Sequence, residues 1–302
     1  MTTIPVIDIT PLRSGTEAER ATTAQALGQA CRETGFFYMQ GHGVASDTME
    51  KMFAASRHFF SQSPEAKDAL AMRHLGKNRG YVGLGVERLD TSSLPDRKEA
   101  FNLNRDEEGT LSACPDLPGW RALMEEYFKT CLDLGAILHR GFARDLGVAE
   151  DFFVDKFQNP LATLRLLHYP APESSQEATG PGAGAHTDYG NVTILAVDGV
   201  SGLQVRPRGQ EWIDAPLIPG TFICNIGDCL MRWSNDVYTS TPHRVLRPAA
   251  ERYSIAFFLD PDADALVEPI VTQADDKPHY PPITGHDYLQ ERLNATYGHA
   301  KS

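Results

Sequence analysis

Two histidines and one aspartate in the second half of this 302-residue chain have types and spacing suited to metal binding. His186-Thr187-Asp188 is the one place where a histidine is followed two positions later by an acidic residue. Residues two apart in a β-strand point to the same side, so the imidazole of His186 and the carboxylate of Asp188 could meet at one metal ion. His243 begins a later predicted strand and is the candidate for a second imidazole.

The chemistry of this ligand set depends on the positions that it leaves open. Two histidines and one carboxylate occupy half of an octahedron, as in non-haem Fe(II) oxygenases, which need free positions for a co-substrate and O₂. Zinc binds the same three groups, so the ligands alone do not decide the metal. A single His-x-Asp triplet is also expected by chance in a chain with ten histidines and 40 acidic residues, so the surrounding sequence must decide.

The segment after His243 adds a guanidinium and a hydroxyl to the same predicted interior. Residues 243–247 and 252–259 have the pattern of two strands joined by Pro248-Ala249-Ala250-Glu251. If this connection closes a hairpin, position 243 faces 256 and position 245 faces 254, so His243, Arg252 and Ser254 share one side. If the pairing of the two strands were shifted by one residue, His243 would no longer share a side with Arg252 and Ser254. A buried arginine beside a hydroxyl suits a carboxylate ligand, whereas the alternative is a surface arginine at a strand start.

The elements that must position these residues change in character near residue 160. The first half is predicted to be mainly helical, with a capping box at Thr16–Glu19, a helix from Asp47 and the longest helix from about Trp120 to Asp145. Gly- and Pro-rich turns then separate short strands, which predicts a sandwich, barrel or jelly roll. The predicted strands are Leu161–Tyr169, Val192–Val197, Gly202–Val205, Thr221–Asn225, His243–Leu246 and Arg252–Leu259.

Composition narrows the possible partners. Lys and Arg number 28 against 40 Asp and Glu, a net charge of −12, which argues against nucleic acid or an anionic membrane surface as a general partner. The longest apolar run, Ile255–Leu259, is far shorter than the roughly 20 residues of a membrane span, and no secretory signal is visible. Five cysteines without a Cys-x-x-Cys motif favour a reducing compartment, so we expect a cytoplasmic protein.

Taken in order, the motifs of the chain resemble those of a known enzyme family, the iron- and 2-oxoglutarate-dependent dioxygenases of the isopenicillin N synthase-like superfamily. The resemblance covers nearly the whole length, and its strength lies in the order and separation of motifs that are individually weak. The matching motifs are Gly41-His42-Gly43-Val44, His186-Thr187-Asp188-Tyr189-Gly190, Gly202-Leu203-Gln204-Val205, Asn225-Ile226-Gly227-Asp228, His243-Arg244-Val245 and Arg252-Tyr253-Ser254.

The resemblance implies an α+β fold with a double-stranded β-helix (jelly-roll) core. Residues 1–150 would form a mainly helical part wrapped on the core, and residues 151–302 the core with a C-terminal extension. It also implies that His186, Asp188 and His243 ligate Fe(II). Many members carry an asparagine near the co-substrate where this chain has Leu167. Three further residues would hold the distal carboxylate of 2-oxoglutarate: Arg252, Ser254 and Tyr169.

The implied reaction uses O₂ and 2-oxoglutarate to oxidise a small molecule, by default through hydroxylation, with release of succinate and CO₂. Three alternatives stay open at this stage. The first is an oxidase of the same fold in which the matching arginine and serine hold a carboxylate of the substrate. Ethylene formation from 2-oxoglutarate is the second, and a non-catalytic or zinc-bound binding module is the third.

The substrate itself is not predicted by the sequence, and neither is the oligomeric state. An inward-facing Arg165 would favour an acidic substrate. The Gly-, Pro- and Ser-rich loop over residues 171–185 is either a lid or a plain surface loop. Position and resemblance give six pocket candidates, each with core packing or a surface role as the alternative: Tyr81, Phe101, Arg165, Tyr189, Arg232 and Phe258.

Overall fold

Two β-sheets face each other at the centre of the molecule, and helices cover the outer side of the larger sheet. The computed structural model describes residues 3–76, 78–106, 108–172, 180–272 and 276–297. The larger sheet has eight strands in the order β1 (Val6–Asp8), β2 (Phe36–Gln40), β10 (Phe222–Ile226), β7 (Val192–Val197), β12 (Arg252–Asp262), β5 (Pro160–Tyr169), β4 (Glu99–Leu103) and β3 (Gly80–Val82). The smaller sheet has four, in the order β6 (Ala183–His186), β11 (His243–Val245), β8 (Leu203–Val205) and β9 (Ile213–Asp214).

The helices lie mostly in the first half of the chain, as predicted. Thr16 caps α2 with a capping box, in which its hydroxyl accepts from the Glu19 amide and the Glu19 carboxylate accepts from the Thr16 amide. The helices are α1 (Thr10–Ser14), α2 (Glu17–Glu33), α3 (Ser46–Phe60), α4 (Pro64–Asp68), α5 (Met72–Leu75), α6 (Trp120–Asp145), α7 (Asp228–Trp233) and α8 (Gly285–Tyr297), with a 3₁₀ turn at Val154–Lys156 and a small hairpin of β13 (Leu266–Val267) and β14 (Ile283–Thr284).

Strand β12 separates two apolar layers. Its odd-numbered residues, from Tyr253 to Leu259, belong to the layer between the larger sheet and the helices. Its even-numbered residues, from Arg252 to Asp260, face the space between the two sheets. This alternation follows from the period of two in a strand. Polar side chains such as Arg252 and Ser254 therefore lie on the cavity face, while the other face packs against α3, α6 and their neighbours. The architecture confirms the prediction of an α+β fold with a jelly-roll core.

The predicted hairpin between the strands at residues 243–247 and 252–259 is wrong. β11 belongs to the smaller sheet, where His243 pairs with His186 and with Val205. β12 belongs to the larger sheet, where Arg252 pairs with Tyr169. The connection therefore crosses from one sheet to the other instead of turning back on itself. His243 and Arg252 still face one space, because the inner faces of the two sheets look toward each other.

The N-terminal residues contribute to the sheet as well as to the helices, because β1 to β4 all belong to the larger sheet. For the proposed lid over residues 171–185, positions 173–179 lie outside the described residues, and Ala183 already belongs to β6. Within the described ranges, none of the helices has the length and apolarity that crossing a membrane requires.

Candidate active site

The side chains of His186, Asp188 and His243 converge in the space between the two sheets. His186 and His243 are directly opposed across the β6–β11 pair, and their ring centroids are 4.3 Å apart. The Nε2 atoms of His186 and His243 lie 3.8 and 3.6 Å from Oδ1 of Asp188. One donor atom from each residue lies within 4.8 Å of the other two, which is compatible with three ligands on one face of a single metal ion.

Both imidazoles are held so that Nε2 points toward the carboxylate. Nδ1 of His186 lies 2.8 Å from the carbonyl oxygen of Gly184, and Nδ1 of His243 lies 3.1 Å from that of Thr241. Each Nδ1 therefore donates its proton to the backbone and leaves the Nε2 lone pair free for a metal. Burial, together with the neighbouring His243, lowers the pKa of His186 to about 3, so this ring is neutral at pH 7.

Asp188 is oriented by donors from the larger sheet. Its Oδ2 accepts hydrogen bonds from Oγ1 of Thr193 at 2.6 Å and from Nδ2 of Asn225 at 2.7 Å, which leaves Oδ1 toward the histidines. Burial opposes ionisation, but the two imidazoles and these donors outweigh it and lower the pKa of Asp188. The turn after Asp188 also packs closely on Gly227, where a Cβ would lie 2.2 Å from the Gly190 carbonyl oxygen.

A buried cation lies on the same face. Arg252 is 1% exposed, and its Nε donates to the Val200 carbonyl oxygen while Nη1 donates to Oγ of Ser254. Its guanidinium lies 4.8 Å from the ring centroid of Tyr169. In the described part of the chain no carboxylate pairs with Arg252. A buried guanidinium without a counterion is costly, so the arrangement suits a carboxylate ligand that enters from the cavity.

These groups line a cavity of about 850 Å³ that runs between the two sheets. The cavity wall also contains Lys98, whose charge is neutralised by neighbouring carboxylates of the protein. Lys98 is buried between Asp96 and Glu87, with its Nζ 3.3 Å from Oε2 of Glu87. Arg165 donates to the same Glu87 carboxylate. Burial opposes the ionisation of Glu87, but Arg165 and Lys98 hold its pKa at about 2.

Three of the six predicted pocket residues line the cavity: Arg165, Tyr189 and Phe258. Arg165 is paired with Glu87, which also pairs with Lys98, and its expected role toward an acidic substrate stays a prediction. Tyr81 lies outside the lining and donates to Glu99.

Two other pocket predictions are corrected. Phe101 is fully buried against Phe59 and Trp120 on the helix side of β4, because the neighbouring Asn102 takes the cavity side. Arg232 lies on α7 and faces the C-terminal segment, where it donates to the Pro281 carbonyl oxygen. Neither side chain lines the cavity between the sheets.

The sequence reasoning missed several residues that complete the site. The sequence shows Thr193 and Asn225 only as parts of a strand and a motif, because their contact with Asp188 depends on the register of β7 and β10. The pairing of Lys98 with Asp96 and Glu87 joins distant loops and has no local signal. Asp260 could have been found, because it continues the two-residue alternation that begins at Arg252 and Ser254.

Family models match two parts of the chain. Residues 4–121 match a model described as the N-terminal region of non-haem dioxygenases in morphine synthesis. Residues 161–261 match the 2OG-Fe(II) oxygenase superfamily, and this range contains all three converging side chains together with Arg252 and Ser254.

Known proteins are similar to this chain over most of its length. The chain is 32% identical to the 2-oxoglutarate-Fe(II) type oxidoreductase hxnY of Emericella nidulans, over 99% of this chain and 91% of that protein. It is 36% identical to a homoarginine-6-hydroxylase of Glycine max, over 89% and 88%. The crystal structure of a full-length Neurospora crassa protein in complex with alpha-KG (2-oxoglutarate) and thymine matches with a TM-score of 0.90, 34% identity and 97% coverage of both chains. The chain therefore belongs to the isopenicillin N synthase-like superfamily and is an Fe(II)- and 2-oxoglutarate-dependent oxygenase that uses O₂.

Proposed function

We propose that His186, Asp188 and His243 hold the iron of this oxygenase. The observation that carries the assignment is the convergence of two imidazole nitrogens and one carboxylate oxygen within 4.8 Å. The backbone carbonyls behind both rings support it, because they fix the tautomer that a metal needs. The hydrogen bonds from Thr193 and Asn225 support it further, because they hold Asp188 in a single orientation.

We propose that Arg252, Ser254 and Tyr169 bind the distal carboxylate of 2-oxoglutarate. The buried guanidinium without a carboxylate partner supports this role, and the bound anion would replace the missing counterion. Ser254 offers a hydroxyl beside Nη1, and the Tyr169 ring packs against the guanidinium face. Leu167 pairs with Ser254 across the β5–β12 ladder and adds an apolar surface to the wall of this pocket.

In this assignment the protein's own residues position the reactants and exclude water. When bound, iron and 2-oxoglutarate supply the oxidation, in which O₂ contributes one oxygen atom to succinate and one to the substrate while CO₂ is released. The carbonyl groups of Gly184 and Thr241 keep both imidazoles aligned, with Nε2 toward Asp188. Arg252 sets the direction in which the co-substrate enters, and the aromatic side chains of Tyr189 and Phe258 form part of the remaining cavity wall.

The substrate is proposed to be a small molecule that is hydroxylated between the two sheets. Relatives act on or bind different molecules, since one is named a homoarginine-6-hydroxylase and another was crystallised with thymine. Both molecules are therefore first members of a substrate screen. We also propose a division of the chain near residue 150, supported by family matches on either side, and a cytoplasmic location, supported by five cysteines that are all free thiols.

An anaerobic titration of metal-free protein with Fe(II), with and without 2-oxoglutarate, tests these assignments. A visible charge-transfer band that needs both components is expected for the wild-type protein. Asp188→Ala should lose tight iron binding, and Arg252→Gln should bind iron but need far more 2-oxoglutarate to develop the band. Asp264→Ala is the control, since Asp264 is exposed and lies away from the cavity. Wild-type iron affinity in Asp188→Ala would contradict the ligand assignment.

A further inference from the structure

Two residues before its C-terminal end, strand β12 places on the cavity wall a carboxyl group that the proposed chemistry does not use, that of Asp260. Asp260 lines the cavity, and in the described ranges no donor lies within hydrogen-bonding distance of its carboxyl oxygens. A β-bulge between Leu259 and Asp262 inserts one residue at this point relative to β5. Bulges of this kind redirect a side chain, often beside an active site. Gly190 leaves room for the carboxyl, because a Cβ there would lie 2.7 Å from Oδ1 of Asp260.

The register of the larger sheet places Asp260 on the side of the metal ligands that the co-substrate does not occupy. Phe258 pairs with Thr193, and Thr193 pairs with Asn225, so the donors that hold Asp188 lie in the row of Phe258. Arg252 lies six residues before this row, roughly 20 Å along the strand, whereas Asp260 lies two residues after it, roughly 7 Å. With 2-oxoglutarate between Arg252 and the ligands, the cavity beyond them is open to substrate.

The other carboxyl groups of the cavity wall already have partners. Glu87 is paired with Lys98 and Arg165, and Asp188 is held by two donors. Asp106 accepts from the backbone amides of Glu108 and Thr110. Among the lining residues that the structure describes, Asp260 alone has a carboxyl without a donor. Burial, followed by the charge of Asp188, raises the pKa of Asp260 to about 7, so a cation beside it would relieve an unfavourable environment.

The neighbours of Asp260 favour a basic group carried on an apolar stem. Phe258 precedes it on the same face of β12, and Tyr189 and Leu289 also line the cavity. Aromatic rings pack against methylene groups and stabilise a nearby cation through their faces. His286 of α8 lines the cavity as well, and it forms no ion pair with Asp260 in the described part of the chain.

We propose that Asp260 binds the basic nitrogen of the substrate, an amine or a guanidine, and thereby selects cationic substrates over neutral molecules of the same shape. The inference rests on the proposed function, since it places 2-oxoglutarate on the Arg252 side of the iron. Asp260 is a specificity-determining residue in this scheme. It takes no part in holding the metal or the co-substrate.

The experiment compares matched pairs of cationic and neutral probes on protein loaded anaerobically with Fe(II) and 2-oxoglutarate. Suitable pairs are L-homoarginine with L-homocitrulline, agmatine with N-carbamoylputrescine, and L-lysine with L-norleucine. Binding is followed by the change that each probe causes in the visible charge-transfer band. In the wild-type protein at least one basic probe should bind about tenfold or more tightly than its neutral partner.

Asp260→Asn should bring that pair to within about twofold of each other, because the amide keeps the shape and removes the charge. Asp264→Asn removes an exposed charge nearby and should keep the wild-type preference. If Asp260→Asn fails to fold, the same binding measurements are made on Asp260→Ala. Equal binding of every pair in the wild-type protein, or a preference that persists in the Asp260 variants, overturns the proposal. Absence of the band in wild-type protein with iron and 2-oxoglutarate is a different outcome, which overturns the proposed function and with it this inference.

Discussion

The hydrogen bond from Thr193 to Asp188 should control iron affinity although Thr193 does not touch the metal. Thr193→Val keeps the shape of the side chain and removes the hydroxyl that lies 2.6 Å from Oδ2 of Asp188. Both residues are buried, at 5% and 7% exposure, so water does not replace the donor. Asp188 would then be held by Asn225 alone, and Oδ1 would no longer be fixed toward the two imidazoles.

The size of the effect follows from the character of this bond. A hydrogen bond to a charged group contributes about 1.5–3 kcal/mol, and Asn225 retains part of the orientation, so the lower half of that range applies. A loss of about 1.5–2 kcal/mol corresponds to iron binding weakened roughly 10- to 30-fold. This agrees with the roughly 10- to 100-fold effects known for groups that orient metal ligands.

An anaerobic Fe(II) titration of the variant gives the dissociation constant directly. Thr163→Val is the matched control, because Thr163 faces the same cavity from β5, pairs with Phe258 in the same row, and makes no contact with Asp188. The control should bind iron like the wild-type protein. Equal iron affinity, within twofold, in Thr193→Val and the control would refute the reasoning that Thr193 holds the ligand in place.

Three further predictions address the co-substrate, the buried ion pairs and the corrected pocket. Arg252→Gln should raise the KM for 2-oxoglutarate roughly 10- to 100-fold at unchanged iron affinity, measured by succinate release and iron titration. The pKa of Glu87 is held at about 2, compared with an ordinary value of 4.5. Its charge should therefore stabilise the fold by on the order of 3 kcal/mol above pH 4.5. That stability should disappear as the pH falls toward 2, and denaturant titrations should show a flatter acid limb for Glu87→Gln. Phe101→Leu should lower the free energy of unfolding by about 1–2 kcal/mol and leave every KM unchanged, since Phe101 packs against helices.

The three proposed metal ligands could be predicted because their signal is local. His186 and Asp188 are two positions apart in sequence, and the second histidine stands at the start of a predicted strand. Arg252 and Ser254 were placed correctly on the inner face, but for a reason that does not hold. Sequential strands often pair with each other, and a jelly roll breaks this tendency because its chain alternates between two sheets. The shared interior, and not a shared hairpin, brings Arg252 toward His243.

The residues that escaped prediction depend on register across several strands. Phe101 was expected at the cavity, but β4 is covered on both faces, and a shift of one residue exchanges Phe101 for Asn102. Thr193 and Asn225 face Asp188 only because β7, β10 and the turn before Gly190 come together in the folded chain. No pattern in a single sequence reports such long-range contacts.

The alternation along β12 has a consequence for how this protein tolerates change. From Tyr253 to Leu259, odd-numbered side chains are packed under the helices, so their replacement acts chiefly on how much folded protein accumulates. From Arg252 to Asp260, even-numbered side chains line the cavity between the sheets, so we expect their replacement to act chiefly on what each folded molecule does. Within this one strand, substitutions that change substrate preference are thus separate from substitutions that unfold the protein. Phe258 and Asp260 are the two positions at which selection could change the substrate range without disturbing the proposed co-substrate pocket.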